Sequence, residues 1–388
     1  MSEYELEIKQ VVDYPRCRIY RQFIQSLMND SNLRASGGSG LFYYTVLCSY
    51  ANFRTSYRRL DGISYTVYPG EWICSVKELC SWFRTRFQHQ AIEILEDLQK
   101  RHLISYLTLD RGKVIKYKIR DWKQHNTVLD YNCPCQKDTG FFFLPLVTAT
   151  ELVSSGRCSE TDIVLDLWLS AIYNDEQVQG SELGPVVYLR NGTGSPLVTY
   201  AELGKRWGIS KATTGRILKK LEQLQYLSLM TFPGRTGSVI YLQGYLSTMF
   251  QISDVLIDKD EVAMTLNINI TLSEEAPCEA PAATEHNISV SSELSCVSKT
   301  HMEQILQKLA EILAAQGISC FGCPKSIYKL YPLSDACGER YFIHTKSGEE
   351  HRFGLSVQCG AGKTVYTFEL TLSLKPNNHF RRNLHEKE

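Results

Sequence analysis

Residues 199–227 read TYAELGKRWGISKATTGRILKKLEQLQYL, and the fold of the chain turns on how this stretch is parsed. Thr199 is a favourable N-cap and Glu202, three places on, can reach back to complete a capping box, so a short helix starts here. Gly208 stops it. Ile209 is then the buried residue of a turn and Ser210 caps a second helix, on which Ile217, Leu218, Leu221 and Leu224 recur at helical spacing. Lys211, Thr213, Arg216, Lys219 and Lys220 fall largely on other faces, giving this helix an apolar back and a basic front. Beyond it, 227–232 and 239–242 are strand-like runs separated by Pro233, Gly234, Arg235, Thr236 and Gly237, a turn cluster with one cation at its tip. The order is helix, turn, helix, hairpin. Gly215 sits mid-helix at a cost of about 1 kcal/mol against alanine and is read as tolerated.

A second copy of this plan lies upstream, between 70 and 122. Ser75 and Glu78 form another capping box, and Leu95-x-x-Leu98 repeats Leu218-x-x-Leu221, with the turn around Arg84, Thr85 and Arg86 one residue longer. Its hairpin is written as 104–109, a turn at Asp110, Arg111, Gly112 and Lys113, and then 114–120. There Ile115, Tyr117 and Ile119 alternate with Lys116, Lys118 and Arg120, so one face packs inward and the other is basic. The second helix of this copy suits DNA less well, because His89 and Gln90 are followed by Glu93, Glu96 and Asp97.

Leu203, Gly208-Ile209-Ser210, Thr213, Arg216 and Leu218-x-x-Leu221 together resemble the motif of winged-helix regulators of the MarR and GntR type. That resemblance implies DNA binding, with Lys211, Thr213 and Arg216 approaching base edges. Ser210, Lys219, Lys220, Arg235 and the first hairpin, with Arg111, Lys113, Lys116 and Lys118, would then hold phosphates. Residues 141–230 also resemble, more loosely, the N-terminal domain of RepA-type plasmid replication initiators. The residues behind this are Phe143-Leu144-Pro145, a helix running to Tyr173, Gly184-Pro185-Val186-Val187-Tyr188 and then the helix pair.

Charge agrees only when counted locally, since 42 basic and 42 acidic residues leave the chain neutral. From 200 to 245 there are seven Lys/Arg against two Glu, and from 70 to 125 eleven against seven, whereas 254–303 carries two against ten. The basic stretches coincide with the motifs, as phosphate contact requires. No apolar run approaches the roughly 20 residues of a membrane helix, and Glu3, Glu5 and Glu7 stand where a signal peptide would be basic. A cytoplasmic, bacterial protein is expected. Thirteen cysteines, an odd number scattered through apolar segments, fit reduced thiols, with Cys48, Cys74 and Cys80 as core residues.

The remaining chain divides by composition. Residues 1–40 form an N-terminal segment closing on Ala35-Ser36-Gly37-Gly38-Ser39-Gly40, a flexible connector. A helix over 41–53 leads into the first unit, 41–125. Residues 126–140, with Cys133-Pro134-Cys135, link it to the second, 141–255, which contains an amphipathic helix over 161–173 and a turn at Asn191-Gly192-Thr193-Gly194. An acidic linker at 273–298 precedes a small α+β domain, 300–376, with a helix at 302–315 and strands at 341–345, 353–357 and 365–374. Gly360-Ala361-Gly362-Lys363-Thr364 lacks the first glycine of a phosphate loop and is read as a hairpin turn. Cys320 and Cys323, with Cys337 and His344 or Cys359, lack a second close pair, so no metal is assigned. No hydrolase elbow or His-Glu-x-x-His pair supplies a catalytic candidate, and no cofactor is expected.

The sequence therefore predicts an α+β chain of two winged helix-turn-helix domains in tandem followed by a small α+β C-terminal domain, a non-enzymatic protein whose partner is double-stranded DNA and not a membrane. Transcriptional regulation is the leading role, plasmid or mobile-element replication initiation the alternative, and a scaffold without DNA binding the third reading. The C-terminal domain is the candidate surface for homo-oligomerisation.

Overall fold

A computed structural model of the chain describes residues 2–11, 16–126, 140–172, 186–187, 196–232, 237–243, 252–253, 265–272, 287–290, 304–306, 308–309, 327–332, 343–345, 348–358 and 365–374. The chain is α+β and divides into two compact units, one holding residues 14–126 and 135–257, the other residues 1–13, 127–134 and 258–388. Strand β1 (Ser2–Val11) opens the chain and belongs to the second of these.

The first unit holds two repeats of like element order. Its first repeat runs β2 (Arg16–Tyr20), α1 (Arg21–Asn29), α2 (Leu41–Tyr50), β3 (Ser56–Leu60), β4 (Ile63–Val67), β5 (Glu71–Ser75), α3 (Val76–Phe83), α4 (Gln88–Lys100), β6 (Ile104–Leu109) and β7 (Val114–Ile119), then α5 (Trp122–His125). The second runs β8 (Phe141–Pro145), α6 (Leu146–Ser154), α7 (Glu160–Leu169), β9 (Ala171–Ile172), β10 (Val186–Val187), α8 (Tyr200–Trp207), α9 (Lys211–Gln223), β11 (Leu227–Thr231) and β12 (Ser238–Leu242), and β13 (Ile252–Ser253) pairs back onto β2. In both, a strand and two helices precede a capped helix, a second helix and a hairpin.

The likeness extends to single bonds. Both capping boxes form, with Ser75 Oγ accepting from Glu78 N–H and Thr199 Oγ1 from Glu202 N–H, each at 3.2 Å. Arg84 and Gly208 end their helices in the left-handed region, at φ 55° and 62°. After the longer first turn the offset drops by one residue and holds. His102 and Gln225 both have positive φ, and Gln99 and Glu222 each accept from a backbone N–H seven residues on, Tyr106 and Leu229, at 3.1 Å.

The repeats meet through β2 and β8, which pair antiparallel from Arg16 opposite Pro145 to Tyr20 opposite Phe141, centred on Arg18 and Phe143. Because each repeat begins with its own copy of this strand, the pairing is symmetric about its centre. The Arg16 side chain is fully buried, its guanidinium 3.9 Å from the Phe143 ring centroid, and Nη1 donates to the His125 carbonyl at 2.6 Å. Asn126 fastens the start of the second repeat from both sides, accepting from Phe143 N–H at 2.6 Å and donating to its carbonyl at 3.1 Å.

One core serves both repeats. At its middle lies α7, expected to be amphipathic and found buried on every face, because α2 and α6 pack against it. Its three carboxylates are all engaged. Asp162 completes a capping box with Ser159 and also accepts from Phe42 N–H of α2 at 2.8 Å, so it caps a helix of each repeat. Asp166 accepts Arg206 Nε, Arg206 Nη2 and Trp207 Nε1, each at 2.7 Å, fixing α8 against α7. Glu160 receives Arg34 and Lys220.

The glycine-rich stretch ahead of α2 differs from the expected flexible connector. Leu33, Ala35 and Ser39 are buried, Gly38 N–H donates to the Arg157 carbonyl at 2.7 Å, and Arg101 donates to the carbonyls of Gly38 and Ser39. A Cβ on Gly37 would stand 2.6 Å from the Ser159 backbone nitrogen. These small residues are packing devices: they let the chain cross the start of α7 where a side chain would not fit. The helix expected over 41–53 ends at Tyr50, and segment 1–40 is split, β1 going to the other unit and the rest to the first repeat.

In the second unit β1 pairs with β14 (Thr265–Leu272) on one side and β19 (Val365–Leu374) on the other; β18 (Gly348–Gln358), β16 (Ile327–Pro332) and β15 (Asn287–Val290) continue the sheet, and β17 (Ile343–Thr345) pairs with β18. All contacts are antiparallel except β15 with β16. The strands expected at 353–357 and 365–374 are present. The expected acidic linker contributes β15, however, and the C-terminal domain recruits the N-terminal strand, which composition alone does not reveal. Ile305, Leu306 and Leu309, from the helix expected at 302–315, are buried. The turns at 191–194, 233–236 and 360–364, the Cys133-Pro134-Cys135 motif, and Cys320, Cys323, Cys337 and Cys359 lie outside the described residues.

Replacing Asp166 with alanine leaves the largely buried Arg206 guanidinium without its carboxylate, so urea unfolding should show a loss of about 3 to 5 kcal/mol; a loss below about 1 kcal/mol would refute the role given to this pair. His125 titrates at about 4, pushed down from 6.5 by burial and by Arg16 against the pull of Asp121. The unfolded chain takes up this proton near pH 6.5 and the folded one only near 4, so stability falls as pH drops through that window. His125→Gln should flatten the decline between pH 6.5 and 4, as read from thermal midpoints across pH.

Candidate functional site

Helix α9 is anchored by its back and open at its front. Ile217, Leu218 and Leu221 are buried, and Thr214, also buried, donates its hydroxyl to the Ser210 carbonyl at 3.1 Å. At the N-terminus Ser210 Oγ accepts from Thr213 N–H at 3.1 Å and lies 2.9 Å from Thr213 Oγ1, which in turn accepts from Arg216 Nη2 at 3.3 Å. Lys211, Arg216 and Lys219 are exposed along the front, Thr213 half-buried beside them. One helix face thus presents three cations and two hydroxyls at positions set by a locked core.

Lys220 departs from the expected basic front. Its ammonium lies 2.6 Å from Glu160, whose side chain is 5% exposed and also takes Arg34 at 3.1 Å. Burial works against the Glu160 carboxylate, yet Lys220 and Arg34 hold it below the usual carboxylate range. Lys220 therefore ties α9 to α7, because its position, one step round from Lys219, faces the start of the buried helix.

The first hairpin divides in the same way. Arg111, in the left-handed region, Lys113 and Lys118 are exposed. Lys116, on the same face as Lys118, instead pairs with Glu71 at 2.9 Å, donates to the Thr66 carbonyl at 3.3 Å and sits 5.4 Å from the Tyr68 ring centroid. Arg235 lies outside the described residues.

What the sequence reading missed explains this. Strands β3 and β4 form a hairpin over the β5–β7 face, turned by Asp61 and Gly62 at φ 47° and 85°. Val67 buries against Ile73 and Val114, and Arg58 reaches the Ile73 carbonyl and Glu78, both at 2.6 Å. The signal was present: Asp-Gly between β-rich runs is a strong mark of a tight hairpin. Gly204 was also overlooked, although a Cβ there would stand 2.7 Å from the Ile209 carbonyl oxygen and wedge the two helices apart. At Gly215 the nearest atoms, in the Tyr200 ring, would lie 3.4 Å away, which is ordinary contact and agrees with its reading as tolerated.

The corresponding helix of the first repeat bears the opposite charge. The offset that maps α4 onto α9 sets Glu93 against Arg216, Glu96 against Lys219 and Asp97 against Lys220. Glu93 and Glu96 are exposed, and Asp97 pairs with Arg101 at 2.7 Å. Cys48 and Cys74 are buried free thiols and Cys80 is half-buried, as core cysteines should be.

No protein-family model, no curated protein and no solved structure matches this chain. Among the described residues, no helix is long and apolar enough to cross a membrane.

Lys219 and Lys220 are adjacent but not equivalent. Lys220→Ala should cost roughly 1 to 2 kcal/mol of folding stability by leaving Glu160 short of a partner, whereas Lys219→Ala should stay within about 0.5 kcal/mol. Equal effects in denaturant titrations would contradict the assignment.

Proposed function

We propose that this chain is a sequence-specific, double-stranded DNA-binding protein made of two winged helices in tandem with a C-terminal accessory domain, acting in the cytoplasm as a transcriptional regulator. The observation that carries the reading is the front of α9, where Lys211, Arg216 and Lys219 stand exposed beside Ser210 and Thr213 while the opposite face is locked into the core. A helix so held can enter a major groove with its N-terminal residues toward base edges. Lys219, Arg111, Lys113 and Lys118 then take phosphates. Lys116 and Lys220 support this surface through their ion pairs and add less contact than their neighbours. Acidic α4 is the poorer reader, so the first repeat contributes through its hairpin.

A second reading, replication initiation, is favoured by one observation. The run that resembles RepA-type initiators, β8 through α7 and on to the helix pair, is preceded in the chain by the same order in β2, α1, α2, α3 and α4. Both roles use the same contacts. Sequencing the DNA crosslinked to the protein separates them: promoters support regulation, an origin with repeated sites supports initiation, and no enrichment refutes both.

In binding assays affinity should fall with salt at a log-log slope of about −0.9 per neutralised phosphate. Arg216→Ala should weaken the preferred site by about 1 to 3 kcal/mol with the thermal midpoint unchanged. Normal binding by this variant would show that α9 is not the reader.

A further inference from the structure

The β3–β4 hairpin has two unlike faces. The inner one carries Leu60, Tyr65 and Val67 into the small core around Ile73, Val114 and Trp72. The outer one leaves large aromatic groups in water. Tyr57, opposite Thr66 in the register, is 76% exposed, and Tyr68, one residue past the end of β4, is 52% exposed.

Cations frame these rings. Arg59 lies opposite Ser64 on the outer face and is exposed. The Lys116 ammonium is beside Tyr68, and Lys118 is exposed two residues further along β7. Between 52 and 70 there are three Arg against a single Asp. The charge fits a phosphate backbone. Exposed aromatic faces add a narrower requirement, because a duplex offers only base edges in its grooves, whereas an unpaired strand offers the planar faces on which rings stack.

We propose that the outer face of the β3–β4 hairpin binds an unpaired nucleic-acid strand, with successive bases stacking on Tyr57 and Tyr68 and with Arg59 holding a flanking phosphate. The inference rests on the reading of the chain as a DNA-binding protein and gives it a second, chemically distinct ligand. The platform adjoins the hairpin assigned to duplex backbone, since Lys116 of β7 donates to the Thr66 carbonyl of β4 at 3.3 Å.

The test uses the full chain, a fluorescent oligothymidylate of about 20 nucleotides, long enough for one binding groove, and a duplex carrying the preferred site. Tyr57→Ala and Tyr68→Ala should each weaken the oligothymidylate complex by about ten-fold and leave duplex affinity unchanged, while Tyr57→Phe keeps the ring and the affinity. Arg59→Ala should lower the salt dependence of single-strand binding. Tyr57 is mostly in water, so its variants should keep the wild-type thermal midpoint. Wild-type affinity in the Tyr57→Ala variant would overturn the proposal, as would duplex binding with no single-strand binding. Tyr57-dependent single-strand binding without any duplex binding would sustain the platform and overturn the proposed function.

Discussion

Helix α7 can exist only because its three carboxylates are answered from outside the helix. A segment written ETDIVLDLWL buries Glu160, Asp162 and Asp166, where an unpaired carboxylate is far too costly to remain charged. Each is met by a different element: Lys220 of α9 and Arg34 ahead of α2, the N-terminus of α2, and the side chains that close α8. Position in space is thereby specified as well as burial. Apolar contacts alone would let α7 rotate or slide, whereas three sets of directional bonds admit one arrangement of the helices around it. The exposed face of α9 inherits that precision, since Lys220 ties α9 to α7 and Arg206 fixes the α8 against which α9 packs.

The helix pairs and their hairpins were legible because they are punctuated. Thr199, Glu202, Gly208 and Ser210, and again Ser75 and Glu78, are local signals whose physics acts within four residues, and they need no knowledge of tertiary partners. Helix α7 was harder. Its apolar spacing suggested one buried face, but burial on the remaining faces depends on α2 and α6, far away in sequence. The Gly-Ser run at 35–40 misled for a related reason: small residues mark flexibility when nothing approaches them and close packing when something does, and only the partner at Ser159 decides. The recruitment of β1 into a sheet with β14 and β19 has no local signature at all.

Charge at the candidate site was half legible. Periodicity placed the cations of α9 away from the apolar back, and Lys211, Arg216 and Lys219 are exposed as that pattern requires. Which cations are already engaged could not be read, because Glu160 is 60 residues from Lys220 and Glu71 is 45 from Lys116. The two repeats show how the frame and its surface can part company. Backbone bonds, caps and positive-φ positions recur, while Arg216 and Lys219 have Glu93 and Glu96 as their counterparts. The frame leaves little freedom, since both copies share one core. The outward faces carry no such constraint.

The symmetric pairing of β2 with β8 bears on mass action. Where two separate subunits associate through like strands, dilution pulls them apart and the amount of assembled pair varies with the square of concentration. Here the two halves belong to one chain and share one core. Their association is intramolecular, so no dissociation constant governs it. The paired repeats stay paired at a few copies per cell, and occupancy of anything that needs both rises linearly with the number of chains.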